Sequence, residues 1–368
     1  VTLIATDYGW YEEALDNALC VGGDDAPDIF VTESAFVTKY TQGIMSSYAC
    51  AYEDLGIDVN SGIEDAEIAQ YSVDVGTRPS DNKIVGLSYE SAAGVMIYRA
   101  SIAEATWGTS DPEDIKDIVG GGSGNWKKFW VAAEDLKAKG YSIVSGDGDM
   151  WRPVKGGATT GWVVDGKLNI PQECENFLDI SMTLMENGYH NDTKDWLDMW
   201  FADMNGTGNT EVFAFFGPAW FLSYIMGQQG YATAGDWRVT ESPVGFFWGG
   251  NWVLASTYAT QASEEKQAAI AEFIEWVTLD YSETGLQYLL ANSELDDTWA
   301  REAVVSSKVM EISDGSLDYL GGQNMFDYFI VANSNTTGTA FTEYDAVIDE
   351  LWRDQVRLYT SGEKSKKD

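Results

Sequence analysis

One histidine, three cysteines and seven prolines in 368 residues leave whole classes of chemistry without their side chains. The single imidazole, His190, lies between Asn187-Gly188-Tyr189 and Asn191, a loop setting. It supports neither a His-rich metal site nor a Ser-His-Asp apparatus. Cys20, Cys50 and Cys174 show no Cys-x-x-Cys or metal-ligand spacing. They read as small buried residues or as one optional bridge. Basic side chains are scarce as well, 22 against 59 acidic ones, for a formal net charge of −37. Such a surface repels phosphate backbones and anionic membranes, which excludes nucleic acid as a partner; solubility accounts for the excess. No run of 18 apolar residues is present, so no helix can span a bilayer. No secretory leader is visible either, and a chain opening on Val1 without Met reads as a trimmed product. Internal repeats and low-complexity tracts are lacking.

What the chain does have is core-forming material and aromatics. Hydrophobic residues make up 45% of it, enough for a globular protein, and the length suits two domains. The stretch 241–255 (ESPVGFFWGGNWVLA) is the most informative. A strand end at Pro243 and Val244 runs into Phe246, Phe247 and Trp248, then Gly249 and Gly250, and a new strand opens at Trp252. Paired glycines permit a sharp turn, and three large aromatics beside it need either a core or a binding cleft.

Upstream, residues 2–5 read as a strand, residues 8–19 as an amphipathic helix, and residues 28–32 as a second strand entered through the turn at residues 22–27. That βαβ spacing implies a parallel sheet covered by helices, with ligands beyond the carboxyl ends of the strands, where Glu33 and Ser34 fall. Strands at residues 83–89 and 95–99 are joined without a helix, which suits a crossing between lobes and places Tyr89 and Glu90 at the seam. Asp111-Pro112, Gly140, Pro171 with Gly188, and Ser263 punctuate helices. Asp165-Gly166 marks a hairpin. Residues 145–151 read as a loop in which Asp147 and Asp149 alternate as in a calcium site, but the rest of that pattern is missing and no metal or cofactor is expected. Trp196 and Trp200 are spaced to share a helix face, and the last helix is expected to bury Val347, Leu351, Val356 and Tyr359.

Fifteen tryptophans, many placed just after strands, point to a sugar cleft. A pyranose offers an apolar C–H face for an indole and a rim of hydroxyls for Asp, Glu, Asn and Gln. Trp151, Trp220, Trp248 and Trp252, with Glu33, Asp147, Asp149 and Gln323, form such a set, and Trp162 adds to the neighbourhood of Trp151.

The order of several segments carries a resemblance: Ala-Pro-Asp-Ile-Phe at 26–30, Val-Met-Ile-Tyr-Arg at 95–99, Phe-Gly-Pro-Ala-Trp at 216–220, residues 243–252, Ala-Glu-Phe-Ile-Glu-Trp at 271–276, and the end from Tyr344-Asp345 through Trp352 to Glu363. In this order the chain resembles the extracellular solute-binding proteins of carbohydrate ABC transporters, the class related to maltose-binding protein. The resemblance implies two α/β lobes, each a mostly parallel sheet flanked by helices, with the ligand in a cleft at the hinge. One lobe would comprise residues 1–92 and 250–308, the other 93–249 and 309–368, with crossings near 90–95, 244–250 and 304–312. It further implies ligand contacts at Glu33, Trp220, Trp151 with Asp149, and Gln323 with Asn324. A monomer is implied, partnered by an oligosaccharide and the membrane permease of an importer. It would work outside the cell membrane, lipid-anchored through a segment before Val1 as in Gram-positive relatives, or else in the periplasm. The family also begins with a strand and helix that this chain lacks, residues 2–5 matching its second strand.

The alternative that composition leaves open is a glycoside hydrolase using paired carboxylates. A receptor for a peptide or polar amine is a third reading.

Overall fold

Two small sheets organise the chain in the computed structural model, which describes residues 2–23, 26–294 and 301–367. Asp24 and Asp25 of the expected early turn lie outside the described residues. The first sheet is built on Asn251–Ser256, which pairs antiparallel with Ile29–Glu33 on one side and with Gly86–Ser88 and Ala49–Cys50 on the other. The second has Val95–Arg99 at its centre, antiparallel to Ala214–Gly217 and Trp237–Thr240. Every position of that central strand is buried: the apolar run Val95 to Tyr98 is covered on both faces, and Arg99 is paired with Asp236 at 2.6 Å.

The α/β organisation with flanking helices is the one expected, but the sense of the strands differs. All ladders among the described residues are antiparallel, and parallel pairing is confined to the bridges Ser142 to Val212 and Val144 to His190. Residues 2–5 form no strand, and Leu3 and Ile4 are exposed. The partner of Ile29–Glu33 instead arrives from far along the sequence. His190, expected in a loop, forms a parallel bridge with Val144.

Helix ends follow local chemistry. The Asp111 carboxylate accepts from the N–H groups of Glu113 and Asp114 and starts Pro112–Val119, while Ser263 caps Glu264–Thr278. Gly140 and Gly188 end their helices in the left-handed conformation. Three expectations are corrected. Residues 145–151 are mostly helix, the first turns of Asp147–Gly156. Trp196 lies outside the helix Asp198–Met204. Val347 and Leu351 are 66% and 57% exposed. The helix Asp345–Thr360 is turned by its acids: Asp349 accepts from the indole N–H groups of Trp151 and Trp162, and Asp345 pairs with Lys155 at 2.9 Å. Burying those carboxylates with partners rotates the apolar residues outward.

Two segments pass between the sheets, and a third lies beside them. Residues 89–94 leave the first, residues 241–250 return to it, and residues 302–306 run alongside. They are stitched to one another: Gly94 N–H donates to Phe246 O and Trp248 N–H to Ala92 O, both at 2.9 Å, and Ser91 N–H donates to Ala303 O at 2.8 Å. Phe246 packs into the core behind the second sheet, filling the place where a Cβ on Gly94 would sit. Phe247 turns the other way and stacks on Tyr71 at 5.0 Å, and Trp248 touches both cores.

Trp252 is fully buried and donates its indole N–H to Ser72 O at 3.0 Å. Trp252→Ala is therefore expected to lower unfolding free energy by about 3–5 kcal/mol, read from urea denaturation.

Candidate functional site

The turn at Gly249 and Gly250 has φ of 79° and 99°, left-handed at both positions, so the backbone doubles back where a side chain would be strained. A Cβ on Gly249 would also lie 3.1 Å from the Trp220 indole nitrogen. Gly250 O accepts from Ser34 N–H at 3.0 Å, tying the end of Ile29–Glu33 to the start of Asn251–Ser256. In that register Glu33 faces Asn251, and the Asn251 side-chain amide donates to Glu90 Oε1. Glu33, Asn251 and Glu90 thus stand in a row at one end of the first sheet, where the chain crosses. Glu33 is positioned by capping the following helix: its Oε2 accepts from Ala35 N–H at 2.7 Å and its Oε1 from Ser34 Oγ at 2.6 Å. Tyr89, half-buried beside Glu90, has its phenol pKa raised by burial and by that neighbouring carboxylate.

Next to the row along the chain come Trp248 of the glycine turn and its partner Trp220, which follows the strand Ala214–Gly217. Trp220 donates its indole N–H to Trp248 O at 2.9 Å, and the two rings meet near-perpendicular with centroids 5.1 Å apart. The Arg152 guanidinium sits 5.4 Å from the Trp248 ring, on the helix Asp147–Gly156. Its side chain is 34% exposed, and its one ion pair, to Asp349, is loose at 3.8 Å. Its remaining donors are free of protein partners among the described residues, and the Glu33 carboxylate is near enough to act on its charge. Trp220 is followed by a π-helical turn, Phe221–Met226, a rare conformation frequent at functional sites. From that turn Ser223 Oγ donates to Glu302 Oε1. Burial pushes the Glu302 carboxyl up to about 8, with the Glu90 charge adding to it. Burial likewise raises Glu90, with Asn251 pulling back and Glu33 adding to the rise. Indole faces, an amide, a guanidinium and carboxyls able to hold a proton are suited to a neutral, hydroxyl-rich ligand.

Of the expected contacts, Glu33, Ser34, Tyr89, Glu90, Trp220 and Trp248 fall at this place. Others do not. Trp151, Trp162 and Trp252 are core residues whose indole N–H groups are already bonded, two of them to Asp349. Asp149 is buried and serves the helix start, accepting from Ser145 N–H, Gly146 N–H and Trp200 Nε1. Burial raises it to about 7 against the pull of those donors. Asp147 begins the same helix on the side of His190. Gln323 acts as an extension of the second sheet, its side-chain amide donating to Val239 O and accepting from Val239 N–H, both at 2.8 Å. Asn324 accepts from Phe326 N–H at 3.0 Å. Arg152, Ser223, Asn251 and Glu302 were not anticipated. Asn251 is signalled only by its place after the glycine turn, and the others depend on contacts between segments far apart in sequence. Cys20 is exposed, Cys50 and Cys174 are buried, and all three are free. Among the described residues no group of three His, Cys, Asp or Glu side chains is arranged to hold a metal ion, and no helix is long and apolar enough to cross a membrane.

The fold these elements define is that of two-lobe extracellular solute-binding proteins. A structure described as an extracellular solute-binding protein of family 1 superposes with a TM-score of 0.75 at 17% identity, covering 99% of this chain and 88% of the other. The galacto-N-biose/lacto-N-biose I-binding protein of an ABC transporter from Bifidobacterium longum, solved with lacto-N-biose, gives 0.65 at 15% identity over 98% and 83%. An ABC transporter associated binding protein from B. animalis subsp. lactis, solved with β-1,6-galactobiose, gives 0.58 at 20% identity over 99% and 86%. No protein-family model matches the sequence, and no curated protein is detectably similar to it.

The raised carboxyl of Glu302 has a consequence for stability. A group whose native pKa lies above its unfolded value keeps a proton that unfolding releases, so its contribution is present at low pH and is lost as pH rises from about 4.5 to about 8. Thermal melts across that window should show wild-type stability falling with pH, and a smaller fall in Glu302→Gln.

Proposed function

We propose that this chain is a non-catalytic receptor that captures an oligosaccharide between two lobes and delivers it to the membrane permease of an ABC importer. The observation that carries the reading is that one short glycine turn, Gly249 and Gly250, joins the Trp220–Trp248 pair to the Glu33–Asn251–Glu90 row. The lobes are residues 1–92 with 250–308, and 93–249 with 309–368. Hinge closure brings the carboxylate row and the indoles onto opposite sides of the sugar, a ligand-driven shift between open and closed forms. Structures of similar fold hold β-1,6-galactobiose and lacto-N-biose, which supports a sugar as the ligand. The receptor works outside the cell membrane as a monomer, anchored there by lipid.

Hydrolysis of the same sugars is disfavoured by how the acids are used. Glu33 caps a helix through Oε2 and accepts from the Ser34 hydroxyl through Oε1, and Glu90 and Glu302 are each engaged by a side-chain donor. None is left poised as a free nucleophile or base.

Calorimetry and thermal shift against galacto-, malto-, manno- and xylo-oligosaccharides test the proposal. At least one series should raise the melting temperature and be recovered at its original length. Shortened products would overturn it. Trp220→Ala should weaken the preferred sugar by about 1–3 kcal/mol, as loss of an aromatic anchor does; an unchanged affinity removes Trp220 from the site.

A further inference from the structure

Trp196 holds a backbone conformation that bulky L-residues avoid, with φ of 66°. Such outliers persist only where the surroundings over-determine them, and they concentrate at functional sites. Here the surroundings do so. Asn191 donates its side-chain amide to Asp203 Oδ1 at 2.7 Å, and Thr193 Oγ1 donates to Asp203 Oδ2 at 2.9 Å. Asp195 takes Arg353 at 2.6 Å and Arg357 at 3.3 Å, both from the helix Asp345–Thr360. Those guanidinium groups keep the Asp195 carboxyl ionised, below the usual carboxylate range, against the effect of burial.

The side chain so firmly placed does little for the core. Its indole is 47% exposed, and among the described residues its N–H makes no hydrogen bond. This contrasts with Trp151, Trp162, Trp200 and Trp252, each buried and bonded through its N–H. Trp196 instead stands edge-on to Trp248, centroids 6.0 Å apart and planes at 86°, with Trp200 at 5.6 Å behind. A large rigid residue, nearly half exposed, is therefore left to solvent beside Trp248.

We propose that Trp196 is the platform of a second, outer sugar subsite beyond the Trp220–Trp248 pair, so that the ligand has at least two rings. Asp195, Arg353 and Arg357 are positioning residues that hold the platform. This rests on the sugar-receptor reading above and adds to it a minimum ligand length and the residue that sets it.

The test compares galactose, glucose, mannose and xylose with their oligosaccharides of two to four units by calorimetry, on wild type, Trp196→Gly and Trp196→Phe. Wild type should bind one oligosaccharide more tightly than its monosaccharide. Trp196→Gly should lose roughly tenfold or more in affinity for that oligosaccharide while its monosaccharide affinity stays unchanged. Trp196→Phe should retain part of the difference. Because glycine relieves the left-handed conformation, Trp196→Gly should melt no lower than wild type. Equal losses for both ligands, no loss at all, or a lower melting temperature with affinity intact would overturn the subsite and leave the receptor reading standing. A wild type that binds no sugar of the panel overturns the receptor reading and the subsite together.

Discussion

The pairing of residues 92–94 with residues 246–248 is the contact on which the rest of the molecule depends. Two backbone hydrogen bonds join the outgoing and returning connections between the sheets, and Phe246, Phe247 and Trp248 alternate their faces across them as strand geometry requires. Phe246 is committed to one core and Phe247 to the other, so Trp248 is fixed where both meet. Trp220 then locks onto the Trp248 carbonyl, and the glycine turn carries the chain directly to Asn251, Glu33 and Glu90. The apolar and polar sides of the candidate cleft are thus products of one short ladder.

Electrostatics follows a different logic inside and out. Outside, the large negative charge is spread over solvated carboxylates and serves solubility. Beside the glycine turn burial moves both Glu90 and Glu302 upward, Glu302 to about 8, with the Glu33 charge adding to the first and the Glu90 charge to the second. Arg152 is the counterpoint, a cation laid against an indole and only loosely neutralised. A ligand with hydroxyls can satisfy both kinds of partner without carrying charge into the cleft.

Local chemistry was largely legible in the sequence. Asp111-Pro112, Ser263, Gly140, Gly188 and Asp165-Gly166 each mark an element boundary or turn that the structure places within a residue or two, because caps and turns depend on neighbours along the chain. The glycine turn after Trp248 was legible for the same reason. What tryptophan does was not. Trp151 and Trp162 look no different in sequence from Trp220, yet they are core residues because Asp349, almost two hundred residues away, accepts their N–H groups. The same acid turned Val347 and Leu351 outward, against a pattern that predicts them buried. Gln323 was drawn to the edge of a sheet by a strand some eighty residues earlier. Trp196 is not the helical neighbour of Trp200 that a spacing of four predicts, because Trp196 is itself left-handed and the helix starts only at Asp198.

Stitching three connections side by side has a mechanical result. A single linker would let two bodies twist, slide and splay, and a ligand would have to freeze all of those movements at an entropic cost. Here two linkers are bonded to each other, and residues 303–304 pair with Glu90 and Ser91 beside them, which opposes twisting and sliding more than a lone linker does. For the receptor proposed above, such a joint would leave bending as the softest movement, closer to shutting a book than to clasping two free hands.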